Sequence, residues 1–306
     1  MTQLSVIFLG TSGSWPTVKR NVTSIAIKRG SEVILLDCGE GTQRQFQRSK
    51  LSYMQISKIF ITHFHGDHFL GIPGLIQTMQ LNDREKPLHI YGPKGMIKLV
   101  SQLLSLGYFK PGYKILAYEV KDGDVLDFEE YVVRVLRVNH NVPALSYALE
   151  EYMRPGKFNK SKALNLGIPE GPLFSKIQRG DIITLNEGIK ITPDMVLGPP
   201  RKGRKIVFSG DTKPDNRLID FSKDADVLIH DATFHSELEE IANDYGHSTA
   251  FQAAEIAKKA NVEKLFLTHI SPRYLDHKIL ENDARKIFKN SFVPRDFQEI
   301  EIHLKK

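Results

Sequence analysis

Four metal-competent side chains crowd into six residues of this chain, and that crowding limits what it can fold into more than any other feature. The stretch is Thr62-His63-Phe64-His65-Gly66-Asp67-His68, directly after the apolar run Ile59-Phe60-Ile61. The run reads as a buried strand, so three imidazoles and a carboxylate are delivered at one strand end. Imidazole and carboxylate are ligands for zinc and similar metals, and at this spacing the backbone must bend around one point, which Gly66 permits. One loop can serve two ions only if other segments contribute. Three more apolar strands end in a ligand: Val135 to Val138 leads to Asn139-His140, Ile206 to Ser209 to Gly210-Asp211, and Leu265 to Thr268 to His269. These strand ends predict one rim converging on a metal pair.

The rest of the chain fits an α/β protein. Short β-rich runs (Ser5–Leu9, Ser24–Ile27, Val33–Leu36, Ile59–Thr62, Val132–Val138, Lys205–Ser209, Val227–His230, Leu265–Thr268) alternate with helical patterns at Gly71–Gln80, Pro93–Leu106, Ser248–Ala260 and His277–Lys289. Ser248 is placed to cap the third helix. The 306 residues are 25% charged and 41% hydrophobic, which excludes disorder, collagen and coiled coil. A single domain, residues 1–306, is expected, carrying an insertion over 154–195. That segment breaks the βα rhythm with Gly167-Ile168-Pro169, Gly171-Pro172 and Gly198-Pro199-Pro200 and has little periodicity. It also gathers the charge. Between Arg154 and Lys205 there are eleven basic and four acidic residues, a surplus of seven in a chain whose net charge is +6. The catalytic body is therefore nearly neutral and the insertion is a basic arm, a device for gripping phosphates. Cys38 is the only cysteine, so no intrachain disulfide and no Cys-rich zinc module can form. It reads as a small buried residue. No apolar run approaches membrane-spanning length, and a soluble, cytoplasmic protein with no membrane partner is expected.

The order His63-x-His65-x-Asp67-His68, then His140, Asp211 and His269, resembles the metallo-β-lactamase superfamily. Within it the chain is similar to the ribonuclease Z family of tRNA 3′-end endonucleases over nearly its whole length. The similarity is carried by Phe8-Leu9-Gly10-Thr11, Arg20-Asn21 after Pro16, Asp37-Cys38-Gly39-Glu40, Pro73-Gly74-Leu75, Asn139-His140, Ser209-Gly210-Asp211-Thr212, His247-Ser248-Thr249 and Thr268-His269-Ile270-Ser271. Two departures stand out. In Pro16-Thr17-Val18-Lys19-Arg20-Asn21 the first basic residue has moved one place, and the family's His-Glu-Ala-Thr is His230-Asp231-Ala232-Thr233 here.

The resemblance implies an αβ/βα four-layer sandwich with an inserted basic arm. It implies two Zn2+ per subunit (or Mn2+), with His63, His65 and His140 on one, Asp67, His68 and His269 on the other, and Asp211 bridging. Asp67 would orient or deprotonate the attacking water, and His247, held by Asp231, would protonate the leaving oxygen or stabilise the pentacovalent state. No step uses the 2′-hydroxyl, so the products expected are a tRNA 3′-hydroxyl and a trailer 5′-phosphate. Substrate contacts are expected at Lys19 and Arg20 and, on the arm, at Arg154, Lys157, Lys160, Lys162, Gly171, Pro172, Lys176 and Arg179. Trp15 reads as a packing residue near the site. Precursor tRNA is the expected partner, with no DNA, and a homodimer in which the arm serves the opposite subunit. The alternative is a metal-dependent phosphodiesterase acting on small or cyclic nucleotides, which would have no use for the arm.

Overall fold

A strand that is apolar at both parities needs cover on both faces, and β1 (Leu4–Gly10) is buried throughout. Leu4, Val6 and Phe8 enter one apolar cluster while Ile7 and Leu9 enter another. The computed structural model describes residues 2–185 and 188–305. After β1 come β2 (Ser24–Arg29), β3 (Glu32–Leu36), β4 (Ile56–Phe60), β5 (Leu88–Gly92) and β6 (Ile115–Glu119). Next are β7 (Val125–Phe128), β8 (Tyr131–Val138) and β9 (Ala144–Glu151), then the short pair β10 (Ile183–Thr184) and β11 (Lys190–Ile191). The chain closes with β12 (Lys205–Phe208), β13 (Val227–Asp231), β14 (Lys264–Thr268), β15 (Ser291–Phe292) and β16 (Glu299–Glu301). The helices are α1 (Thr42–Arg48), α2 (Gly66–Phe69), α3 (Ile72–Leu81), α4 (Met96–Leu104), α5 (Lys160–Asn165), α6 (Pro172–Gln178), α7 (Arg217–Phe221), α8 (Glu239–Tyr245), α9 (Ala250–Lys259) and α10 (Lys278–Arg285).

Residues 2–150 and 205–303 form one unit. Its two seven-stranded sheets run β16-β1-β2-β3-β4-β5-β6 and β15-β14-β13-β12-β9-β8-β7. Phe8, Ile25, Phe60, Tyr147, Phe208 and Ile229 come from both sheets and share the cluster between them. Phe46, Leu75, Met79 and Val100 seat α1, α3 and α4 on the outer face of the first sheet. Leu218, Ala253, Ala257 and Leu280 seat α7, α9 and α10 on the second. This is the αβ/βα four-layer sandwich expected. β3, β4 and β5 are parallel neighbours, as are β12, β13 and β14, and β9 runs antiparallel to β12. The turns after β4, β12 and β14 therefore emerge at carboxyl ends of parallel strands, where such sheets place their sites, while β8 pairs antiparallel with β7.

Several local expectations shift. Ser248 does not cap α9; its hydroxyl donates to the Thr212 carbonyl. Thr249 is the cap, in a reciprocal box with Gln252. The helix expected over Pro93–Leu106 is Met96–Leu104, and that over His277–Lys289 is Lys278–Arg285. Among the described residues no helix is long and apolar enough to cross a membrane.

Residues 151–204, with Leu304 and Lys305, form a second unit, wider than the 154–195 expected of the arm. It has its own small core of Ala163, Ile168, Ile177, Ile183, Ile191 and Val196, beside which the Phe158 and Phe174 rings lie 4.8 Å apart. Its two ends are joined by a buried bidentate pair, Arg204 Nε and Nη2 each 2.7 Å from a Glu151 carboxylate oxygen. Asn186 and Glu187, inside the expected arm, lie outside the described residues.

Candidate metal centre

The turn after β4 enters α2, whose cap is His65, so that His63, His65, Asp67 and His68 surround one point. His63 and His68 are fully buried, Asp67 is half-buried and His65 is exposed. His140 follows β8, Asp211 follows β12 and His269 follows β14. His63, His65, His140 and Asp211 bring ligand atoms within 4.8 Å of one another, as do Asp67, His68 and His269. The structure thus brings together all seven side chains named from sequence, with Asp211 grouped here with His63, His65 and His140.

The direction of each imidazole is fixed by what holds its other nitrogen. His68 Nδ1 donates to Asp37 Oδ2 (2.7 Å) and His140 Nδ1 to the Gly246 carbonyl (2.7 Å). The Thr62 hydroxyl donates to Asp37 (2.9 Å), which leaves it to accept from His63 Nδ1 at 3.0 Å. Thr233 repeats the device, donating to Asp231 (2.7 Å) and accepting from His269 Nδ1 (2.8 Å). Four Nε2 lone pairs are thereby turned inward, with carboxylates or carbonyls behind them, the outer-shell pattern of metal-ligating histidines.

His63 Nε2 lies 2.9 Å and His140 Nε2 3.4 Å from His65 Nδ1. Ligands on a tetrahedron with Zn–N bonds of ~2.05 Å stand about 3.3 Å apart, so these nitrogens have the spacing of one coordination sphere. Asp211 Oδ2 is 3.2 Å from both His68 Nε2 and His269 Nε2 and 3.7 Å from His63 Nε2, facing both groups. Asp67 Oδ2 is 3.2 Å from His269 Nε2 and accepts the Ser14 N–H at 2.7 Å. His68 Nε2 is buried with no hydrogen-bond partner. An imidazole nitrogen aimed without a partner at two carboxylates and another imidazole fits a divalent cation.

Two residues of the centre hold left-handed backbone. His269 and Asp37 hold φ of +58° and +55°. A Cβ on Gly13 would stand 2.5 Å from the His269 ring, so only glycine lets this loop approach.

His247 sits over the second group, its ring stacked on His269 at 4.8 Å, with Nδ1 2.8 Å from Asp231 Oδ2. Asp211, His247 and His269 also form a possible ligand trio by distance. Burial alone would lower the His247 pKa, but the Asp231 carboxylate raises it to about 9, so the ring carries a proton at neutral pH. Asp231 also accepts from Thr212 N, Thr233 N and Thr233 Oγ1. The shorter carboxylate therefore reaches His247 without loss of contact.

The basic residues divide. Lys19 is exposed, but Arg20 is turned inward, its Nη1 donating to Thr11 Oγ1 (2.5 Å) and the Pro294 carbonyl (2.7 Å). Trp15 is 61% exposed rather than packed. In the second unit Lys157, Lys160, Lys162, Lys176 and Arg179 are exposed, with Lys160 paired to Glu170 at 2.7 Å. Gly171 and Pro172 begin α6, and Arg154 Nη2 lies near the Lys202 and Lys305 carbonyls. Cys38 is buried, and burial pushes its thiol far above the ordinary range.

Sequence reasoning missed Asp37, Thr62, Thr233 and Gly246 as holders of the ligands. Asp37 had a signal, since it follows the apolar strand Val33 to Leu36 as the ligands follow theirs.

Residues 4–160 match a family model described as anti-Pycsar protein Apyc1, and residues 194–270 one described as a beta-lactamase superfamily domain. The chain is 50% identical to a ribonuclease Z of Methanosarcina acetivorans over 98% of each chain. It is 46% identical to one of Pyrococcus horikoshii, over 98% of this chain and 96% of the other. Among solved structures it is similar to the short form of human tRNase Z, at 28% identity and a TM-score of 0.72, covering 98% of this chain and 100% of that one.

Proposed function

Because the chain belongs to the ribonuclease Z family, and so is a metal-binding endoribonuclease that processes tRNA 3′ ends, we propose that it removes 3′ trailers from precursor tRNA at a centre for two Zn2+ or Mn2+. In this reading His63, His65 and His140 would hold one ion and Asp67, His68 and His269 the other, with Asp211 placed to serve both. The observation that carries it is His68 Nε2, buried and unpartnered between Asp211 and Asp67, at 3.2 and 3.6 Å.

When bound, the cations activate water near neutral pH and offset charge gathering on the phosphoryl oxygens. Asp67 Oδ2 accepts the Ser14 N–H and faces His269 Nε2 at 3.2 Å as a fellow metal donor, which leaves Oδ1 to orient the attacking water and take its proton. Across the centre His247 holds a proton on Nε2, because Nδ1 is fixed on Asp231, and gives it to the leaving 3′-oxygen. Asp231 keeps that ring in place and favours its charged form. Nothing in this scheme draws on the 2′-hydroxyl, so the tRNA keeps a 3′-hydroxyl and the trailer carries a 5′-phosphate.

The exposed cations of residues 151–204 take the tRNA backbone, reading shape more than sequence. The enzyme works in the cytoplasm as a homodimer whose arms serve partner centres. Monomers fully active on precursor tRNA would overturn that last part.

The test is to incubate pure protein and Zn2+ or Mn2+ with one precursor tRNA and map both new ends. A 3′-hydroxyl at the trailer junction is expected. A 2′,3′-cyclic phosphate, or hydrolysis of cyclic nucleotides with the precursor left intact, sinks the reading.

A further inference from the structure

One cleft of about 610 Å3 opens beside the metal centre, between segments 137–143 and 214–217, and its wall reaches His140. No part of the proposed mechanism uses it. Arg137, exposed at the end of β8, has no partner for its guanidinium among the described residues. Opposite it Arg217 is held by Asp215, with Nε 3.1 Å from Oδ1 and Nη2 2.7 Å from Oδ2, so one edge of the fork is fixed and the other is left over. Exposed Asn139 and Asn141 add amides to the lining. The Asp215 carboxylate lines the same space, and Asp122, which accepts the Arg137 N–H at 2.7 Å, lies near Arg217. The cleft is thus close to neutral and grips by placed donors rather than by net charge. Guanidinium forks and amides match phosphate oxygens and ribose hydroxyls.

We propose that this cleft holds the first nucleotides of the unpaired 3′ trailer, which extends the ribonuclease reading and rests on it. A chain crossing Asp211 must leave on both sides of the centre. On one side loop 13–20, with Lys19, abuts Asp67 and His269; on the other the cleft abuts His140. A base-paired acceptor stem is too wide to enter, whereas 610 Å3 lies within the ~300–1,000 Å3 that encloses a ligand of nucleotide size. Of the strands flanking the cut, the trailer is the one that is single-stranded over several nucleotides.

The experiment compares precursors with trailers of one, two and five nucleotides, read as kcat/KM for wild type and for the Arg137→Gln, Arg217→Gln double variant. For wild type kcat/KM rises over the first added nucleotides. In the double variant the loss grows with length, to about tenfold on the longest trailer, the scale of two lost charged contacts screened by solvent. Asp215→Asn, which frees Arg217 without removing it, gives an intermediate loss with the same length dependence. Thermal midpoint and metal content of each variant check that the fold is kept. A loss equal at every length, or a wild type indifferent to length, overturns the cleft. No cleavage of any precursor overturns the ribonuclease reading, and the cleft with it.

Discussion

His63, His65, Asp67 and His68 were legible because they are contiguous, and His140, Asp211 and His269 because each ends an apolar strand. Their holders were not, because a hydroxyl that relays a carboxylate to an imidazole has no spacing of its own. Thr62 and Thr233 do the same work from turns after strands of different sheets; Thr62 directly precedes its histidine, whereas only the fold brings Thr233 beside His269. Asp37 was within reach of the strand-end argument and holds three groups: His68 Nδ1, Thr62 N and Thr62 Oγ1. In Asp37→Asn the amide can still accept from Thr62 but presents no charge to His68, which loses the partner that turns Nε2 inward. Metal affinity should fall roughly 10–100-fold, the usual cost of removing such a partner. Chelator titration of the metal-loaded protein measures it, and release at wild-type chelator concentrations would show Asp37 to be a folding residue only.

Elements were legible where their pattern was unambiguous. β9, Ala144-Leu145-Ser146-Tyr147-Ala148-Leu149-Glu150-Glu151, was missed because alanine, leucine and glutamate favour helix, and only its place between β8 and β12 makes it a strand. The cap of α9 was misplaced by one residue although Thr249-x-x-Gln252 spelled the capping box. An electrostatic staple between the sheets was also invisible. Glu32 of β3 accepts from Lys58 of β4 (2.5 Å) and from Tyr131 of β8 (3.2 Å), and Lys58 Nζ lies 4.5 Å over the Phe128 ring. Burial pushes the Glu32 pKa up, but the bonds from Lys58, Ser57 and Tyr131 outweigh it and hold it below the usual value. A carboxylate whose folded pKa is depressed stabilises the fold above its unfolded pKa and loses that contribution as pH falls through the folded one. Glu32→Gln should therefore cost roughly 1 kcal/mol at pH 7. The gap to wild type should narrow once pH drops below about 4.3, the ordinary glutamate value. Urea melts of both proteins at pH 7, 5 and 3.5 test the sign, and a gap that widens on acidification contradicts it.

For the whole molecule the informative quantity is where charge sits. The surplus of seven between Arg154 and Lys205 exceeds the net +6 of the chain, so the remainder is slightly acidic. The fold isolates this region as a unit with its own core, and the punctuation by glycine and proline marked it, though its boundaries at 151 and 204 coincide with the Glu151–Arg204 pair rather than with a change in composition. That boundary tells where to cut. Glu150 and Lys205 are register partners on β9 and β12, so a short turn can join those strands in place of the residues between. The remaining chain keeps every proposed metal ligand along with His247 and Asp231. If the arm grips tRNA and the centre alone does chemistry, this deletion should abolish precursor tRNA cleavage while hydrolysis of bis-p-nitrophenyl phosphate persists. Binding of mature tRNA should weaken and lose salt dependence, by about one unit of slope for each phosphate contact removed. The exposed Lys157, Lys160, Lys162, Lys176, Arg179, Lys190 and Lys202 set the scale of that change. Equal loss of both activities in a folded, metal-loaded deletion would mean that the arm is required for the centre itself, and the division of labour would have to be abandoned.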